Sequence, residues 1–126
     1  MGTFFIINPT AGRGRCLDIW SNIRKIIPFP HEFEFTKGPG EGESLARKAL
    51  EQGFTRIIAV GGDGTVSEVV NAMAQSQAQL GIIPAGTGND FVKSLGIPRD
   101  PTAALTVISN GNAQLVDLGK ISGRFF

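Results

Sequence analysis

The chain has 126 residues, 41% of them hydrophobic and 18% charged, and a net charge of +1, which describes one globular domain with a sizeable core. So even a balance provides no broad basic field for nucleic acid or an anionic membrane, and the longest apolar runs, "FFII" and "IIAV", are too short to span a bilayer. A single cysteine, Cys16, excludes an internal disulfide and a cysteine metal cluster; it reads as a small buried hydrophobe in a reducing cytoplasm.

In chain order, the sequence starts with no signal-peptide pattern and goes directly into a β-rich run, "TFFIIN" (Thr3 to Asn8). Turn chemistry follows in "PTAGRGR". Cys16, Trp20, Ile23 and Ile27 then recur at helical spacing, and Pro28 with Pro30 stops that helix. "EFEFT" (Glu32 to Thr36) alternates like a strand and leads into the loop "KGPGEG". His31, between Pro30 and Glu32, reads as an exposed turn residue. Leu45, Ala46, Ala49 and Leu50 mark one face of a second helix, with Gly53 as its C-terminal stop. "RIIAV" has the continuous apolar character of a parallel strand buried on both faces. After "GGDGT", Val66, Val69, Val70 and Met73 define an amphipathic helix. "LGIIP" is another buried strand, followed by "AGTGN" and a short helix through "DFVKSL". Asp100 and Pro101 look like the cap and first residue of a further helix, and Gly111 like its stop.

This alternation predicts an α/β fold in three layers, a mostly parallel sheet with helices on both faces. Right-handed crossovers place every strand-to-helix loop at the C-terminal edge of the sheet, where ligands bind in such folds. The far end departs from the pattern. "AQLVDLGKI" reads as a strand, "SG" as a hairpin turn and "RFF" as the start of a returning strand. The expected division is therefore residues 1–118 as the first domain and 119–126 as the start of a hairpin leading into a second, antiparallel domain. On that reading the sequence is a segment of a longer chain.

Glycine is the unusual figure, with 17 residues, almost double the average share of about 7%, and the glycines gather where apolar runs end. In "GGDGT", residues without Cβ let main-chain amides approach an anion closely, and the helix start that follows favours negative charge. Thr65 and Glu68 also match the S/T-x-x-E capping box, so they read equally as a helix cap and as ligand contacts. Asp63 is harder to explain as structure alone. A carboxylate beside a phosphate-binding turn repels the phosphate unless a cation bridges them or the acid has a proton to handle. A helix-start aspartate favoured by the dipole is the plainer alternative. Arg13, Arg15 and Lys37 read first as solvated charges and second as phosphate-facing groups. Asp90 reads as a helix cap, Asp117 as the partner of a basic side chain, and Trp20 as core. No G-x-x-x-x-G-K-[ST] occurs, and "GDGTVS" is only a weak approach to G-x-G-x-x-G.

Taken in order and spacing, "NPTAGRG", "GGDGTVSEVVNA" and "GIIPAGTGNDF" resemble the catalytic, nucleotide-binding domain of the diacylglycerol kinase and sphingosine kinase family, above all its small bacterial members. "GGDGT" alone is shared with NAD kinases and phosphofructokinases; the other two motifs point to the lipid branch. The resemblance implies the NAD kinase/diacylglycerol kinase-like fold, with a C-terminal β-sandwich domain lying beyond this segment. It implies an ATP-dependent lipid kinase acting on a lipid hydroxyl, with ATP and Mg²⁺ as cofactors. The segment alone is then expected to be inactive. Nucleotide contacts fall on Asn8, Pro9, Thr10, Ala11 and Gly12, on Thr36, on Gly62, Asp63, Gly64, Thr65, Val66, Ser67 and Glu68, and on Thr87. Asp63 is the matching position of the family's motif acid and the candidate catalytic residue, with a role in Mg²⁺ handling or in activating the lipid hydroxyl, and no metal-ligand set is assigned. Ser67 departs from the family's usual asparagine, which implies a weaker contact there. The implied partners are ATP, diacylglycerol or a related lipid, and the inner face of a membrane, without nucleic acid and with homodimerisation left open. Two alternatives stand beside this reading: a kinase of NAD or a sugar phosphate, and a non-catalytic nucleotide-binding module.

Overall fold

A computed structural model of the chain describes residues 2–74, 76–85 and 97–110. Its elements are β1 (Thr3–Ile7), α1 (Arg15–Ile23) extended by a 3₁₀ turn (Arg24–Ile26), β2 (His31–Phe35), α2 (Glu41–Glu51), β3 (Arg56–Gly61), α3 (Asp63–Met73), β4 (Gln79–Pro84) and α4 (Pro101–Asn110). The four strands pair in the order β2-β1-β3-β4, all parallel. Sequence pattern accounts for their positions. β3 and β4 are apolar at nearly every residue and are buried on both faces. β2 alternates, with Glu32 and Glu34 exposed and Phe33 and Phe35 half-buried, and accordingly takes an edge.

Alternate strand residues face opposite helix layers. Ile6, Ile57, Ala59, Leu80 and Ile82 pack with Ala46 and Ala49 of α2 and with Val66, Val69, Val70 and Met73 of α3. Phe5, Ile7, Ile58, Val60 and Ile83 pack with Cys16, Trp20 and Ile23 of α1 and with Ala104, Leu105 and Ile108 of α4. The expected three-layer α/β fold is what the chain forms. β1 sends the chain to α1 on one face, and β3 sends it to α3 on the other. The C-terminal ends of β1 and β3 are thus the switch point of the sheet, where a crevice opens in folds of this type.

Local chemistry ends α2 and starts α4 as read from sequence, whereas α1 stops at Ile23 and its 3₁₀ turn at Ile26, leaving Ile27 extended ahead of Pro28. Gly53 has φ +95°, the Phe54 N–H donates to the Ala49 carbonyl at 3.1 Å and the Gly53 N–H to the Leu50 carbonyl at 3.1 Å, a Schellman stop to α2. The Asp100 carboxylate accepts the Ala103 N–H at 2.9 Å and caps α4. His31 departs from its expected exposed turn. It opens β2, its Nδ1 lies 3.0 Å from the Phe29 carbonyl, and its ring meets Phe5 edge-on, because the strand starts one residue earlier than the alternation "EFEFT" indicates. The loop "GTGND" with Thr87 and Asp90, the helix through "DFVKSL", Gly111, Asp117, the hairpin and the 118/119 boundary lie outside the described residues.

Cys16 is buried, and its thiol donates to the Val60 carbonyl at 3.4 Å. Burial pushes its pKa from 9.0 up to about 12. The folded state keeps this proton where an unfolded thiol would lose it. Its contribution to stability is therefore intact below 9.0 and declines as pH rises toward about 12. Thiol-reactive dyes at neutral pH should label Cys16 only at the rate of unfolding; immediate labelling of the native protein would contradict its burial.

Candidate functional site

Parallel strands bring their C-terminal ends to one edge, and main-chain bonds set the loops leaving that edge side by side. Beyond β1 the Asn8 N–H donates to the Val60 carbonyl at 3.0 Å, beyond β2 the Thr36 N–H to the Ile7 carbonyl at 2.8 Å, and beyond β4 the Ala85 N–H to the Gly61 carbonyl at 3.0 Å. The β1 loop then turns back on itself. Asn8 Oδ1 accepts the Thr10 N–H at 3.1 Å and the Thr10 hydroxyl at 2.9 Å, which fixes the amide side chain. Its Nδ2 donates to Thr65 Oγ1 at 3.2 Å. "NPTAG" and "GGDGT", 57 residues apart at this contact, are joined across the switch point by that bond. The turn continues through Gly12, Arg13 and Gly14, all at positive φ, before α1 begins.

Between these loops lies an open cleft of about 290 Å³. The β1 loop lines it with Asn8 and Thr10, the β2 loop with Thr36, Lys37, Gly38 and Pro39, and the start of α3 with Gly64, Thr65 and Glu68. Its polar groups are hydroxyls, amides, one lysine and the Glu68 carboxylate. Gly64 bounds it within the first turn of α3, and a Cβ placed there meets no atom of the described residues within 4 Å beyond its chain neighbours and its own helix backbone. The glycine is therefore not demanded by packing. It leaves room beside a helix N-terminus, where free N–H groups attract anions.

α3 starts earlier than a capping box requires. Gly62 occupies the cap position with extended backbone and no side-chain cap, and Asp63 is the first helical residue. Thr65 and Glu68 consequently do not cap α3 as a box: the threonine hydroxyl accepts from Asn8, and the glutamate reaches another helix altogether. Glu68 Oε2 accepts the Gly40 N–H and Oε1 the Gly42 N–H, each at 2.9 Å. Those amides belong to the N-terminus of α2.

Of the residues singled out from sequence, Asn8, Thr10, Thr36, Gly64, Thr65 and Glu68 line the cleft. Pro9, Ala11, Gly12, Gly62, Asp63 and Ser67 adjoin these in the same loops and the first turns of α3, without lining it. Asp63 is half-buried at the head of α3. The Val66 side chain is in the core and its N–H donates to the Gly62 carbonyl at 3.1 Å, so neither group is available to a ligand. Thr87 is outside the described residues. Lys37 lines the cleft, as do Gly38 and Pro39, which the sequence reading passed over. The signal was present, since "KGPGEG" is a glycine-rich loop at the same end of a strand. Among the described residues no group of three His, Cys, Asp or Glu side chains could hold a metal.

Residues 2–121 match the family described as the diacylglycerol kinase catalytic domain. The chain is 39% identical over 127 residues to a diacylglycerol kinase of Staphylococcus saprophyticus, covering 96% of this chain and 41% of that protein. It is 47% identical over 132 residues to a diacylglycerol kinase of Bacillus subtilis, covering 96% of this chain and 42% of that protein. The crystal structure of a diacylglycerol kinase from Bacillus anthracis superposes with a TM-score of 0.74 at 34% identity, covering 88% of this chain and 40% of that one. The chain thus spans about two fifths of the length of these relatives.

Proposed function

Because this chain belongs to the diacylglycerol kinase catalytic-domain family, we propose that its cleft binds ATP and that it supplies the nucleotide half of a lipid kinase. The relatives named diacylglycerol kinase support a lipid hydroxyl, diacylglycerol or a close analogue, as acceptor. The observation that carries the reading is the Asn8–Thr65 bond beside the open space at Gly64. It joins two glycine-bearing loops at the sheet's switch point and leaves a phosphate-sized opening at a helix N-terminus.

In this reading the phosphate chain lies along the start of α3, against the amides of Gly64 and Thr65. Thr10 and Thr36 offer hydroxyls from the neighbouring loops, and the Lys37 ammonium adds positive charge at the rim. Phosphoryl transfer needs positioning and charge stabilisation more than covalent help from the protein. Asp63 is assigned to the cation, or to the proton of the attacking hydroxyl. Mg²⁺, when bound, would neutralise charge on the phosphate oxygens. The relatives extend well beyond the matched region, and the lipid-facing surface and the remaining acid groups are assigned to that additional length. A peripheral position at the inner face of a membrane goes with the lipid acceptor. Among the described residues no helix is long and apolar enough to cross a bilayer.

Calorimetry of the chain with a non-hydrolysable ATP analogue and Mg²⁺ tests the nucleotide reading. Saturable binding is expected, and Asp63→Asn should weaken it by about tenfold in the presence of Mg²⁺ while leaving metal-free binding almost unchanged. A wild-type chain that binds no adenine nucleotide would end this assignment.

A further inference from the structure

The unusual bond pattern at the cleft is that of Glu68. Gly40, at φ +83°, is the cap position of helix α2 and provides no side-chain cap. The first amides of α2 are satisfied instead from α3, where Glu68 holds the Gly40 and Gly42 N–H groups with both carboxylate oxygens. Glu68 stands one helical turn after Gly64. The segment it grips is the one whose Lys37, Gly38 and Pro39 form the opposite wall of the cleft. The contact is built closely: a Cβ on Gly42 would lie 2.7 Å from Glu68 Oε1 and 3.2 Å from Glu68 Cβ.

We propose that Glu68 is a positioning residue, a clamp that holds the 37–42 segment against α3 so that the nucleotide cleft is open and ordered before ligand enters. The inference rests on the nucleotide reading and assigns Glu68 a role within it. A carboxylate lining a phosphate site would ordinarily repel the ligand. Two amide donors at a helix N-terminus, each at 2.9 Å, compensate much of that charge. Glu68 therefore acts through α2 and not as a metal ligand. A local Ser or Asp cap at position 40 would satisfy the helix equally well, but it would not tie α2 to the first turns of α3. The cap donated from α3 ties the start of α2 to the cleft wall, in addition to the core packing farther along the two helices.

Two variants break the clamp from opposite sides. Glu68→Gln leaves a single acceptor for two N–H groups, and Gly42→Ala pushes the carboxylate away while supplying a better helix former. Amide hydrogen exchange of the full chain, read at Gly40 and Gly42, should accelerate in both. Calorimetry with the non-hydrolysable ATP analogue should show about tenfold weaker binding in both, equally with and without Mg²⁺. Adding Gly42→Ala to Glu68→Gln should cause little further loss, because both act on one contact. A merely structural role would lower the thermal midpoint and leave affinity for the analogue unchanged, which would overturn the proposal. So would a loss of affinity seen only with Mg²⁺ and with amide exchange unchanged, since that marks a metal ligand. If the wild-type chain binds no nucleotide although both amides are protected, the nucleotide reading fails and the clamp's part in binding fails with it. Wild-type binding that both variants retain in full would remove the clamp alone.

Discussion

Gly64→Ala should leave the fold as stable as before, or raise its thermal midpoint by a few degrees, while abolishing most of the affinity for an ATP analogue. Inside a helix, alanine is favoured over glycine by up to about 1 kcal/mol, and Gly64 is the second residue of α3 without a positive φ. A methyl group there meets no atom of the described residues within 4 Å beyond its chain neighbours and its own helix backbone. The described part of the fold therefore has no steric use for glycine at this position. The proposed ligand does: a Cβ would occupy space needed for a phosphate oxygen approaching the first amides of α3. Binding is expected to weaken by at least about tenfold. Paired melting curves and calorimetry decide the matter, and full affinity with unchanged stability would move the phosphate away from α3.

Three positions earlier in the same motif the outcome should reverse. Gly61→Ala should destabilise the protein by about 1–3 kcal/mol, the range for overpacking a well-filled interior. The added Cβ would lie 2.7 Å from Thr65 Oγ1 and 2.9 Å from Thr65 Cβ. The hydroxyl can rotate, but the Cβ is fixed by the helix backbone, so the start of α3 must move away from β3. Movement of Thr65 would also lengthen its bond with Asn8. The thermal midpoint should fall by roughly 5–15 °C, and whatever nucleotide affinity the wild type has should fall with it. A variant as stable as wild type would mean that α3 tolerates the shift. The two glycines look alike in "GGDGT", yet one is required by the protein and the other by its proposed ligand.

This contrast shows what could be read before any coordinates. Parallel strands were legible in "RIIAV" and "LGIIP", because burial on both faces suppresses polar residues throughout. The strand character of β2 was legible in the alternation of "EFEF". Helix stops at Gly53 and starts at Asp100 followed from local hydrogen-bond chemistry that needs no distant partner. The candidate loops could be named as well, since β-loop-α alternation by itself sends them to one edge. His31 was misplaced, because its setting depends on Phe5 and the Phe29 carbonyl, which "PHE" cannot reveal.

Partners far apart in sequence were the other gap. Thr65 and Glu68 satisfy a capping-box pattern letter for letter, yet α3 starts two residues before Thr65, and both side chains find partners across the cleft in Asn8 and at the N-terminus of α2. Lys37, Gly38 and Pro39 became cleft residues only when β2 took its place beside β1. The sequence by itself determined the layers and the end of the sheet at which a ligand could bind, because periodicity and turn chemistry are local. Tertiary structure alone decided which side chains face that ligand and which hold the walls, because those roles are set by contacts between residues tens of positions apart.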